Sequence, residues 1–345
     1  MPINHAMAIL RKSSFLDYIV FVLSCVSIVS LTSCGTRTEE ARPAESMRVI
    51  RMDEAVAQYR MRDTVYRDSV RSVYAKPLAF LFSVTGRGEV SDSSLYEYSC
   101  SRPVDVFTHL VDSLLPDIGA VEPVLGEVNA RIRRLLPKAG IGALYAIVSP
   151  YNQSIFTTDS IMLVGLNHYL GADFEGYKYF EPYQRVNKRI DQLQYDVAEA
   201  AVGSAYPMST DADATVLSHL LYQGALIEAK MQLVPDADLA DALGYTAEQL
   251  EWMDANEAQA WDALITRNLL YSQSVTDAGR LILPSPSTTI LHPDSPGRAG
   301  RYIGYRIVQA YLDSNPDAAL SDLLSPSFYA GQQTLLNARY APAVK

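Results

Sequence analysis

Cysteine is scarce in this chain of 345 residues: Cys25 and Cys34 lie in or just after an apolar N-terminal run, and Cys100 stands alone in the remainder. With Cys25 and Cys34 set aside as belonging to a leader and its processing site, Cys100 has no partner, so a disulfide-stapled fold is excluded and Cys100 reads as a buried thiol. Positive charge is also short. A net charge of −10 leaves no basic patch of the kind nucleic acid needs, which excludes nucleic acid as a partner. The apolar run Tyr18–Leu31 is shorter than the roughly 20 residues a membrane span requires. Internal repeats and low-complexity tracts are missing. Gly86-Arg87-Gly88 lacks the Lys-Ser/Thr that would make it a phosphate-binding loop, and reads as a turn. What remains is 48% hydrophobic and 20% charged, an ordinary globular composition.

The N-terminus explains two of the three cysteines. Arg11 and Lys12 precede the apolar run, and Leu31-Thr32-Ser33-Cys34 follows it. This order resembles the signal peptide and lipobox of bacterial lipoproteins. The resemblance implies removal of residues 1–33 and a lipid on Cys34 that ties the chain to a membrane of the cell envelope. Cleavage removes Arg11, Lys12 and Asp17 and shifts the net charge to −11. Residues 34–46, polar with one proline, read as a lipidated tether. Glu39 and Glu40 faintly resemble the surface-export signals of Bacteroidetes lipoproteins, but read more readily as a solvated linker face. Residues 47–345 are then one globular domain.

Thr215–Val234 is the segment around which that domain is organised. Val216, Leu217, Leu220, Leu221, Ile227 and Met231 recur at helical spacing, and Leu226 and Leu233 extend the apolar surface round the back, so the helix is interior. Ser209, Thr210, Asp211 or Asp213 is expected to cap it. Residues 103–115 and 123–136 read as a helical hairpin bounded by prolines. Ile141–Ser149 and Ser160–Leu166 read as an antiparallel strand pair separated by a turn-rich segment. Val186, Ile190, Leu193, Val197 and Ala201 predict one helix over 183–202. Thr246-x-x-Gln249 and Asp254-x-x-Glu257 read as capping boxes of two further helices, and 299–312 as the last strong one. Gly300 and Gly304 in that helix would let another backbone come close. Asp211, Asp213, Asp236, Asp238 and Asp241 read as caps, because the glycine and closing glutamate of a calcium loop are missing. The fold class is helix-rich α+β with a small antiparallel sheet.

Ser160–Gly171, Glu181-Pro182-Tyr183, Leu220–Lys230, Gly244–Trp252, Asn256–Trp261 and Ser295–Tyr311 together resemble the gliding-motility lipoprotein family GldB. Order and spacing hold over most of residues 100–340, and SPGRAGRYIGYRIVQAY (295–311) is the most specific block. Asn167 stands where the family segment would carry an aspartate. The resemblance implies an envelope protein working with gliding machinery and the secretion system tied to it. The family is also similar in outline to zinc peptidases with a zincin-like central helix. That second resemblance places His219 and Gln223 at the histidines of H-E-x-x-H, and Glu257 at a third ligand.

The residues do not complete that chemistry. Leu220 occupies the general-base position, and Gln223 offers an amide where zinc prefers imidazole. His219 reads as a hydrogen-bonded core histidine and Glu257 as part of a capping box. The expectation is a non-catalytic protein with no cofactor, zinc included. The alternatives are a zinc peptidase with unusual ligands, or a peptide- or glycan-binding module. For the last, Tyr177, Tyr179 and Tyr183 form a candidate recognition surface, with core packing an equal reading. His168 and His292 lie in loops beside Tyr169 and Asp294.

Overall fold

Four short strands form one sheet: β1 (Val49–Ile50), β2 (Ala143–Ile147), β3 (Ile155–Thr157) and β4 (Ile161–Gly165), in the order β1-β2-β4-β3. The computed structural model describes residues 46–209 and 214–343; the leader, Cys34 and nearly all of the tether lie outside them. No described helix is long and apolar enough to cross a membrane.

The sheet is mixed, which corrects the antiparallel pairing expected for 141–149 and 160–166. β2 and β4 run parallel, with Leu144 opposite Met162 and Ala146 opposite Val164, and β1 is parallel to β2. The reversal is made by β3, a third strand inside the segment that reads as turn. It pairs antiparallel to β4 at the outer edge, so the chain turns back twice before β4. Alternation sorts the side chains of the two central strands. Leu144, Ala146, Met162 and Val164 join the larger core, whereas Ile147 and Leu163 join a smaller one on the opposite face. Strands covered on both faces read as continuous apolar runs, as IGALYAIVS does.

The smaller core is closed by the N-terminal helices α1 (Met52–Tyr59), α2 (Thr64–Val73), α3 (Ala75–Val84), α4 (Asp92–Ser99) and α5 (Arg102–Leu114). Cys100 follows α4 and is exposed, not buried. α6 (Glu122–Leu135) does not make the expected hairpin with α5: α5 packs on α1 and α4, and α6 on helices of the other layer. That layer holds α7 (Pro182–Arg185), α8 (Leu193–Ala205), α9 (Val216–Leu233), α10 (Leu239–Leu243), α11 (Ala247–Thr266), α12 (Val275–Ile282), α13 (Ala299–Ser314), α14 (Leu320–Leu323), α15 (Pro326–Tyr329) and α16 (Gln332–Ala338). The single helix expected over 183–202 is broken: α7 stops at Arg185, and Ile190 lies in a 3-10 turn before α8.

α9 is the buried centre, and most of its residues are shielded from solvent. Thr215 caps it, accepting from Ser218 N at 3.3 Å; of the residues expected to do so, Thr210, Asp211 and Asp213 lie outside the described residues. Its main partner is α13. A Cβ on Gly304 would stand 1.8 Å from Leu220 O, and one on Gly224 would stand 2.2 Å from the Gly304 carbonyl carbon. The two backbones therefore touch, and only glycine permits it. Thr246 caps α11 as expected, and the break expected at Asp254 falls two residues later. Asn256 (φ −115°, ψ 15°) kinks α11 there, and Asp254 accepts from Tyr302 Oη at 2.6 Å. Asp238 caps α10, accepting from Asp241 N.

Candidate functional site

The three residues that a zinc reading would join lie on two helices, His219 and Gln223 on α9 and Glu257 on α11. His219 and Gln223 are half-buried on α9, and desolvation holds the His219 imidazole below its usual range. Leu220 between them is fully buried against Gly300 of α13. Glu257 is committed elsewhere. It accepts from Arg306 Nε at 3.0 Å, Tyr340 Oη at 2.8 Å and Tyr302 Oη at 3.4 Å. Among the described residues no three His, Cys, Asp or Glu side chains are grouped to hold a metal. Catalytic zinc takes three converging ligands and a carboxylate base, and the base's position on α9 is the buried Leu220.

The tyrosines separate as well. Tyr177 is fully buried and belongs to the core, which corrects its assignment to a recognition surface. Its hydroxyl donates to Asn167 O (2.5 Å) and accepts from Leu170 N (3.2 Å). Tyr179 is 86% exposed and Tyr183 half-buried. Tyr151, Tyr177 and Phe180 surround the Lys188 ammonium, which also donates to His168 Nδ1 at 3.2 Å. Burial, helped by Lys188, lowers the His168 imidazole to about 4, and its other nitrogen meets Pro150 O at 3.0 Å. A neutral ring donating to Pro150 and accepting from Lys188 satisfies both contacts. His292 lies apart, tilted against Trp252. Asn167 is fully buried; it accepts from Ser149 N and donates to Ser149 O, both at 3.0 Å. An ionised carboxylate could not donate the second bond, so the amide at this position is a structural clamp on the end of β2.

The chemistry gathers instead in a cavity of about 430 Å³ between β3, α8, α9 and the start of α13. Glu199 of α8 is its hub. One carboxylate oxygen takes Lys230 Nζ and the other takes Arg301 Nη2, each at 2.8 Å. Burial alone would raise the Glu199 carboxyl, but the Arg301 and Lys230 charges overcome it and hold the group well below the usual range. Burial brings the Lys230 amine down to about 8 against the pull of Glu199. One turn earlier, Asp196 accepts from Tyr169 Oη at 2.8 Å, and burial raises it to about 6.

Arg298 is the fifth charge. It precedes α13 with a left-handed backbone (φ +62°), and its guanidinium donates to Gly244 O at 3.1 Å. No carboxylate among the described residues lies within ion-pair distance of it. Three polar atoms on residues lining the cavity also lack a hydrogen-bond partner: Arg301 Nε, Gln192 Oε1 and Asn187 Oδ1. This cluster is not marked by any motif in the sequence. Its one legible signal was Lys230, a cation inside a helix buried on nearly every side.

The cavity's two arginines come from the 295–311 block. Residues 35–342 match the family described as gliding motility protein GldB, which is most of the chain. The chain belongs to the GldB family. The match begins at the residue after Cys34 and takes in every element from β1 to α16. GldB is thereby the setting of both the charged cavity and the α9–α13 contact. No curated protein and no solved structure matches the chain.

Proposed function

We propose that this GldB chain is a non-catalytic lipoprotein, anchored to an envelope membrane through lipid on Cys34, that supports gliding motility and the protein secretion machinery tied to it. The observation that carries this is the family match over residues 35–342, which starts where the lipobox ends. The leader supports the anchor: basic Arg11 and Lys12, an apolar run of signal-peptide length, then Leu31-Thr32-Ser33-Cys34. Acyl chains on one cysteine hold a protein at a membrane by apolar transfer, without a spanning helix. Two facts support the absence of catalysis. The position of a peptidase's base is the core residue Leu220, and Glu257 is paired with Arg306 and accepts from Tyr340. The likeness to a peptidase rests on the residue pattern of α9 and on Glu257 of α11.

Cys34→Ala in the bacterium that encodes this chain tests the anchor. The variant is expected to lose incorporation of labelled palmitate, to leave the membrane fraction, and to abolish gliding. A variant that stays membrane-bound and glides normally would remove the lipid from the account.

A further inference from the structure

We propose that the cavity between α8, α9 and α13 binds a small molecule through an oxyanion, a carboxylate or a phosphate, held by Arg298 and Arg301. The proposal goes beyond the lipoprotein role and does not depend on it.

Charge is the first argument. Three cations, Lys230, Arg298 and Arg301, line the cavity against two carboxylates, Asp196 and Glu199. Glu199 spends one oxygen on Lys230 and the other on Arg301, and Asp196 is engaged by Tyr169. Arg298 has no carboxylate within ion-pair distance among the described residues and feels Glu199 and Asp196 only from further off, while its guanidinium donates to the neutral Gly244 carbonyl. The rest of the chain carries a net negative charge, so a local cationic excess is against the trend of its composition.

Unmet hydrogen-bonding capacity is the second. Arg301 is 7% exposed, yet its Nε has no acceptor. Gln192 is 3% exposed and its Oε1 has no donor, and Asn187 Oδ1 is in the same condition. Buried polar atoms are normally paired, because an unpaired one costs about 1–3 kcal/mol in lost hydration. Donors on two guanidinium groups call for the oxygens of an anion, which arginine grips in a planar fork. The two acceptors beside them call for a hydroxyl or amide N–H on the same ligand. A volume of about 430 Å³ is in the range of small-molecule pockets. The backbone of Arg298 adds to this. A non-glycine residue with positive φ is strained, and here the strain turns the side chain of the residue before α13 toward Gly244 at the cavity wall.

The test is thermal unfolding of the full-length protein in detergent, titrated with sodium phosphate or sodium acetate against sodium chloride at matched ionic strength. A ligand of the native state raises the transition in proportion to the logarithm of its occupancy. Saturable stabilisation by at least one oxyanion beyond chloride is expected, and the stronger arm identifies phosphate or carboxylate as the group recognised. Arg298→Gln is expected to weaken the apparent affinity about tenfold or more. Ala200→Phe fills the cavity wall while keeping all five charges, and is expected to abolish the response even if the arginine variant folds poorly. Neither anion stabilising the wild type beyond chloride would overturn the proposal. So would an undiminished response in folded Ala200→Phe.

Discussion

Gly304→Ala is expected to destabilise the protein by about 3 kcal/mol, although alanine is the better helix former by about 1 kcal/mol. The two effects oppose each other, and distance decides between them. The new Cβ would stand 1.8 Å from Leu220 O, and backbone cannot rotate out of the way as a flexible side chain can. α9 and α13 would have to separate along the most extensive helix contact in the larger core. Gly203→Ala is the control. Gly203 lies in α8 with nothing within 4 Å of the added carbon, so the same substitution there should stabilise by about 0.5–1 kcal/mol. Urea midpoints of the two variants should move in opposite directions. Equal and small shifts would mean that α9 and α13 are not in backbone contact.

Glu199→Gln should cost about 3 kcal/mol at neutral pH, because it leaves Lys230 and Arg301 in place without the carboxylate that pairs with both. Lys230 softens the loss: its amine is already brought down to about 8 by burial, and it can shed its proton. The sign of the pH dependence follows from the direction of the Glu199 shift. Its folded value lies below the ordinary 4.5, so its contribution is fully present above that pH and is lost as pH falls through the folded value. The stability gap between wild type and variant should be widest near pH 7 and should narrow progressively below pH 4.5. A gap independent of pH would show that Glu199 acts by shape and not by charge.

The helices with one apolar stripe were readable before the fold was known, because burial of a stripe is a local property of spacing. α9, α13 and the start of α11 are where the spacing puts them. The sheet was half readable. IGALYAIVS is apolar on both faces, which marks a strand covered on both sides, but its direction depends on β3, three residues hidden among turn-forming neighbours. The stripe from Val186 to Ala201 misled for a related reason. Its spacing continues through a loop, and Arg189 leaves the helical path there to pair with Asp241 fifty-two residues away. Gly300 and Gly304 were recognised as points of close approach, but the partner, Leu220 with Gly224, is a tertiary fact.

The candidate site was less legible. His219, Gln223 and Glu257 stand out by a linear motif, whereas the charges that meet in the folded chain come from α8, α9 and α13, about thirty to a hundred residues apart. Asp196 and Glu199 sit one turn apart on α8, and nothing local distinguishes them from solvent-facing carboxylates. Glu257 and Arg306 find each other in the same non-local way.

The most direct test of the central claim, that this GldB chain works without cutting peptides, is gliding of a strain whose sole copy carries His219→Ala and Gln223→Ala, measured beside a deletion strain. Gliding at the parental rate in the double variant, with none in the deletion, is the result predicted. Loss of gliding in a double variant that accumulates to normal levels would contradict it and restore α9 as an active-site helix.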